Sequence, residues 1–281
     1  MFDSDSIGTL GYLRDPPKKS GEDPDKSFTL DLSPLLTPRA EGDVDMRPYT
    51  TQTNQYSAGS CVGNATADSV EILNAIEGLP PVQLSRLFVY SVCRSLMDED
   101  GDGRADLDKD DGTYIRLAFD VISKFGICRE DLPIEKGGWP YDLDPRTNKP
   151  KNLHVSPSLK SMRAATGHRI HSYYRIYEEG QERIDRILEA LRAHHPVVFG
   201  TLIDGTFKAL RDDSVLTVPV EDTLGGHALI VVGYIQGKGF IIKNSWGIEW
   251  GDYGFCYMTP EYLAWESTTD LWVPTKGMMF R

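Results

Sequence analysis

Four residues of this chain have the types and placement for attack on a carbonyl carbon: Gln55, Cys61, His227 and Asn244. Cys61 follows Ala58-Gly59-Ser60 and opens the run CVGNATADSVEILNAIE, in which Val62, Ala65, Ser69, Ile72 and Ile76 recur at three-to-four spacing. That spacing predicts a buried helix over 61–77 beginning at the cysteine. A thiol at a helix N-terminus feels partial positive charge, which favours the nucleophilic thiolate, and a nearby imidazolium favours it further. The glycine ahead of the helix lets a substrate backbone come close. His227 stands behind Gly225-Gly226 at the head of the apolar stretch 228–232, a position that reads as exposed enough to exchange protons. Asn244 ends the strand-like stretch 239–243; if the two strands are neighbours, its side chain bonds one imidazole nitrogen and leaves the other facing the thiol. Gln55, six residues before Cys61, supplies a side-chain N–H to a developing oxyanion, with the backbone N–H of Cys61 as second donor. Nucleophile, base, orienting group and oxyanion donors together make an acyl-transfer inventory.

The elements that must position these residues change character along the chain. Helices are predicted over 84–97 and 114–125, the latter closed by Gly126 as C-cap, and over 184–193. Short strands bounded by glycines are predicted over 197–202, 228–234, 239–243 and 254–258. A helical half followed by a stranded half indicates an α+β protein of two lobes, with no internal repeat. Residues 1–42, rich in Pro, Asp, Lys and Ser, read as an extended N-terminal segment outside the main core. Two readings stay open for it: a disordered tail, or a short inhibitory segment that lies in the cleft on the apolar anchors Leu10, Tyr12, Leu13, Phe28, Leu30 and Leu32.

At 281 residues the chain is long enough for a large core. A net charge of −12 argues against nucleic acid or anionic membrane as a partner. No eighteen apolar residues run together, which excludes a transmembrane helix. The opening residues carry no basic stretch followed by an apolar run, so the expected location is cytoplasmic, with specialised export left open. Cys61, Cys93, Cys128 and Cys256 form no CxxC pair and read as reduced thiols, the last three as core residues.

Much of the charge is local. Residues 98–111 hold eight carboxylates against Arg104 and Lys109. Asp98, Asp100, Asp102 and Gly103 match the first half of a calcium loop, with the Arg104 backbone carbonyl and Asp106 as further ligands. The twelfth position is Lys109 rather than an acid, and Asp108 or Asp110 would have to close the shell by a shift of register. A structural Ca²⁺ that pins the loop near Gly112 is one reading; a solvated acidic hairpin is the other.

Taken in order, these motifs resemble the papain-like cysteine peptidases, in a bacterial-type form. The resemblance rests on VDMR at 44–47, Asn54-Gln55, Gly59-Ser60-Cys61, His227-Ala228 with Val232-Gly233-Tyr234, and above all IKNSWGIEWG at 242–251. Gly112-Thr113 and Trp139-Pro140-Tyr141 fall where that family has substrate-backbone glycines and a similar turn. Ala58 and Val62 depart from the family signature C-G-[SA]-C-[WY] around the nucleophile, so a disulfide at that point cannot form. The resemblance implies a catalytic domain over 43–281, with a helical lobe carrying Cys61 and a sheet-rich, barrel-like lobe carrying His227 and Asn244. It implies a cysteine endopeptidase, monomeric, acting on peptides or proteins without a catalytic cofactor. Gly59, Ser60, Gly112, Thr113, Gly226 and Trp246 would contact substrate, with Trp246 also shielding the Asn–His bond. Gly226 and Gly200 suggest an open pocket for the residue two before the scissile bond. Alternatives are a papain-fold acyl transferase and a non-proteolytic peptide-binding module.

Overall fold

The computed structural model describes residues 9–28, 42–220 and 222–276, so the anchors Leu30 and Leu32 lie outside the described residues. In chain order come β1 (Tyr12–Leu13), β2 (Val44–Asp45), α1 (Cys61–Ile76), α2 (Arg86–Leu96), β3 (Thr113–Tyr114), α3 (Ile115–Lys124), β4 (Leu143–Asp144) and β5 (Lys149–Pro150). Then follow α4 (Leu159–Ala165), β6 (Ser172–Ile176), α5 (Gly180–Arg192), β7 (Val197–Ile203), α6 (Gly205–Ala209) and β8 (Val215–Leu216). The chain closes with β9 (Gly225–Ile235), β10 (Gly239–Lys243), β11 (Phe255–Met258), α7 (Pro260–Ala264) and β12 (Thr269–Thr275). Most boundaries have local causes. The Ser85 hydroxyl accepts the Phe88 N–H at 3.0 Å and starts α2. Gly126, at φ +84°, follows the end of α3 as expected.

The sheet runs β6-β12-β7-β9-β10-β11-β8, with β2 joined to β9. Its path is open, so the barrel-like expectation gives way to an open sheet. β9 is its centre. It pairs antiparallel with β7, which sets Thr201 opposite His227, and antiparallel with β10, whose last residue Lys243 pairs with Ile230. Asn244 therefore leaves β10 beside the strand that carries His227.

The helix α1 packs between α2 and α3 on one side and β9, β7 and β12 on the other. The predicted apolar stripe understates this, because every residue from Cys61 to Asn74 is buried. Its polar side chains must then be paired. Asp68 meets the Lys243 ammonium and the Thr53 hydroxyl, and Glu71 accepts from the Thr51 hydroxyl and the Leu84 N–H.

The N-terminal segment departs from its reading as lying outside the core. β1 pairs in parallel with β3, Ser27 bridges Arg175, and Tyr12 and Phe28 are buried in the main apolar cluster.

Candidate active site

Cys61 is the first residue of α1, which packs on β9, the strand that carries His227. His227 Nε2 lies 2.7 Å from Asn244 Oδ1. That oxygen also accepts the Ser245 N–H at 2.8 Å, which fixes the amide's orientation. Nε2 must then carry the imidazole proton, and Nδ1 keeps its lone pair. Nδ1 has no hydrogen-bond partner among the described residues. Trp246 packs on the imidazole with ring centroids 4.8 Å apart and Phe207 closes the edge at 6.0 Å, so the His–Asn bond is walled from water.

Gln55 is held as firmly. Its Oε1 accepts from the Ser245 hydroxyl at 2.7 Å, which turns Nε2 toward Ala58 in the turn before Cys61. There Nε2 donates to two carbonyls, Ala58 at 2.9 Å and Thr9 at 2.7 Å. The second belongs to the N-terminal segment. Sequence reasoning missed Tyr141 as a support here: its hydroxyl donates to the Gln55 carbonyl and bonds the Ser60 hydroxyl, both at 2.8 Å. The only signal was its place in the Trp139-Pro140-Tyr141 turn.

His227 was expected to be exposed; it is fully buried, and so is Cys61. Phe207 and Trp246 enclose the imidazole, and the N-terminal segment covers the sulfur. The backbone groups of Gly11 and Ala228 face the Cys61 sulfur. A Cβ on Gly11 would stand 1.9 Å from the Gly59 carbonyl oxygen, an approach that glycine alone permits. Thr113 N–H donates to the Gly11 carbonyl at 3.0 Å, and the Tyr12 ring fills the space left by Gly200 and Gly226. Burial pushes the Cys61 thiol up to about 11, against the pull of those backbone groups. Burial likewise pushes His227 down to about 4, opposed by Asn244. Both groups are therefore held neutral, as thiol and imidazole.

Of the other residues expected at substrate, Gly112, Thr113 and Gly226 line the groove taken by the segment. The Ser60 side chain does not: it is buried against Tyr141 and Asn64. Gly59 N–H donates to Asp110 at 2.9 Å, and Tyr90 and Lys149 hold the same carboxylate. Asp110 is thus a strut between the acidic loop and the cysteine turn, and is not available to close a metal shell.

The loop brings Asp98, Asp100 and Asp102 together, with one oxygen of each within 4.8 Å of the others. Asp106 does not join them. It is buried and accepts from the Glu99 N–H and the Lys109 ammonium, which also bonds Asp100. Three of the four expected carboxylates converge, and a lysine stands between them and the fourth.

Residues 41–267 match the family described as papain family cysteine protease. The chain belongs to the papain family. Its relatives include a peptidase C1-like protein of Acanthamoeba polyphaga mimivirus, 29% identical over 94% of this chain and 86% of that protein. A KDEL-tailed cysteine endopeptidase of Arabidopsis thaliana is 26% identical over 82% of this chain and 56% of that protein. Among solved structures, xylellain, a cysteine protease from Xylella fastidiosa, superposes with a TM-score of 0.73 at 26% identity, covering 95% of this chain and 96% of that one. The papain-like fold and the class of activity, cysteine peptidase, follow from these matches.

Proposed function

We propose that this papain-family peptidase is an endopeptidase working through a Cys61–His227–Asn244 thiolate mechanism. Once substrate replaces the N-terminal segment, His227 Nδ1 takes the thiol proton and the Cys61 sulfur bonds to the peptide carbonyl carbon. Gln55 Nε2 and the Cys61 N–H hold the oxyanion. The C–N bond then breaks as the imidazolium gives its proton to the leaving amine. Water, deprotonated by His227, attacks the thioester, and Cys61 leaves as thiolate. The observation that carries this reading is the Gln55–Thr9 hydrogen bond at 2.7 Å. A main-chain carbonyl already lies on the donor assigned to the oxyanion, in the groove that ends at Cys61. Replacement of Cys61 by Ala is expected to abolish peptide hydrolysis without lowering Tm; persistence of hydrolysis rejects the mechanism. Product mass distinguishes hydrolysis from transfer of the acyl group to an amine.

We further propose that residues 9–28 hold the enzyme latent. The closeness of Gly11 to the sulfur, the Thr9 carbonyl on Gln55 and the burial of Cys61 support this.

No cofactor enters the chemistry. A calcium ion on Asp98, Asp100 and Asp102 is a separate, structural proposal, supported by the convergence of their oxygens. It would draw Asp100 away from Lys109 and fasten a loop tied to Gly59 through Asp110.

A further inference from the structure

The pocket that Tyr12 fills has a polar floor. The Tyr12 hydroxyl donates to Asp270 Oδ2 at 2.6 Å, and its oxygen lies 2.6 Å from Thr269 Oγ1. A phenol has one proton, so the threonine hydroxyl is the donor in the second bond. Both the hydrogen and a lone pair of the phenol are matched.

Asp270 is built into this place. It is buried, and its backbone takes φ +52° within β12, where the pairing with β7 shifts register between Thr269 and Trp272. Non-glycine residues in that conformation are uncommon and collect at functional sites. Arg175 donates to Oδ1 at 2.5 Å and holds the carboxylate from behind. The two donors on Oδ2 are the Tyr12 hydroxyl and, at 2.7 Å, the Asp15 N–H, and both belong to the N-terminal segment. When that segment leaves, Oδ1 keeps its arginine and Oδ2 loses both donors at the end of an aromatic-sized slot, to be buried again by whatever side chain enters. An unpaired buried acceptor is costly, so the occupant that restores the bond gains over one that cannot.

We infer that Asp270, with Thr269, selects substrates bearing tyrosine in this pocket and discriminates against phenylalanine. The inference rests on the peptidase reading above and names its substrate class. A lysine or arginine would bring a second cation to a carboxylate already paired with Arg175. An aliphatic side chain would leave both groups unpaired.

The test uses the full chain carrying Tyr12→Ala, so that its own tyrosine does not compete. It is assayed on two fluorogenic peptides differing only in Tyr or Phe at the second residue before the scissile bond. The expected kcat/KM is higher for the tyrosyl peptide by about tenfold or more, since a site built to bind a hydroxyl rejects the analogue without it. Asp270→Gly, which suits the positive φ and removes the carboxylate, is expected to bring the ratio close to one. Equal rates on the two peptides overturn the inference, as does a ratio untouched by Asp270→Gly. If that variant does not fold, the comparison on the chain with Asp270 intact decides. Cleavage of neither peptide, with no covalent capture of Cys61 by a small epoxide, rejects the peptidase reading itself and this inference with it.

Discussion

The side-chain amide of Gln55 donates to the carbonyl oxygen of Thr9 at 2.7 Å, while its own oxygen is fixed by the Ser245 hydroxyl. One group therefore serves two states: it holds the N-terminal segment in the covered form and is assigned the oxyanion in the working form. Gln55→Glu keeps the shape and the Ser245 contact but loses the donor. Turnover is expected to fall by about 10²–10³ in kcat with little change in KM. The same substitution removes a tie to the segment, so alkylation of Cys61 by a small reagent is expected to become faster. Loss of turnover without faster alkylation would show that the Thr9 contact contributes nothing to the cover.

The pH dependence of the cover is cleanest on the alkaline side. Burial raises the Cys61 thiol from 9.0 to about 11. A neutral thiol in the covered state thus contributes stability that is complete below pH 9 and is lost as pH rises through about 11. Thiolate absorbance of the full chain, minus that of Cys61→Ala, is expected to titrate near 11. In Gly11→Ala, with the sulfur open to water and to an imidazolium, the midpoint is expected below 9. Equal midpoints would mean that the segment does not desolvate the sulfur. On the acid side two groups oppose each other. His227, depressed to about 4, favours the cover above 6.5 and releases it as pH falls. Asp15, raised to about 7 by burial and by the Asp270 charge, favours it in acid.

Lys243 sits one residue before Asn244 and is buried against Asp68 of α1. Removing one member of a buried pair leaves an uncompensated charge and costs about 3–5 kcal/mol. Lys243→Met is expected to lower Tm by about 10 °C. A Tm within a degree or two of the parent would show that the pair is not what joins the two lobes beneath the site.

Calcium is expected to raise Tm of the full chain, and a chelator to reverse the rise. The double replacement Asp98→Asn with Asp102→Asn should abolish the response while leaving kcat alone. A Tm indifferent to millimolar calcium would assign the loop to its Lys109 ion pairs.

Much of this was legible in the sequence. Cys61 at a helix start, His227 at the head of one strand and Asn244 at the end of another follow from apolar periodicity and glycine boundaries, which are local signals; that the two strands are neighbours came from the fold. The exposure of His227 was misread because Phe207 and Trp246, brought in from other elements, close on its ring. The Tyr12–Asp270 bond spans 258 positions, and no periodicity carries a contact of that range. Asp110 was misread for a different reason. An acidic run looks uniform in sequence, whereas the fold turns Asp98, Asp100 and Asp102 to solvent and Asp106 and Asp110 inward.

The most direct test of the covered nucleophile is intact mass after exposure to an epoxysuccinyl thiol reagent, on the full chain, on Gly11→Ala and on Cys61→Ala. Gly11→Ala touches no group assigned to the chemistry, yet its methyl cannot stand beside the Gly59 carbonyl. A single adduct is expected on the first two proteins and none on Cys61→Ala, with labelling of Gly11→Ala faster by about tenfold or more, a difference of about 1.4 kcal/mol in the cover. An adduct that survives in Cys61→Ala would contradict the assignment of the nucleophile, and equal rates for the first two would contradict the cover.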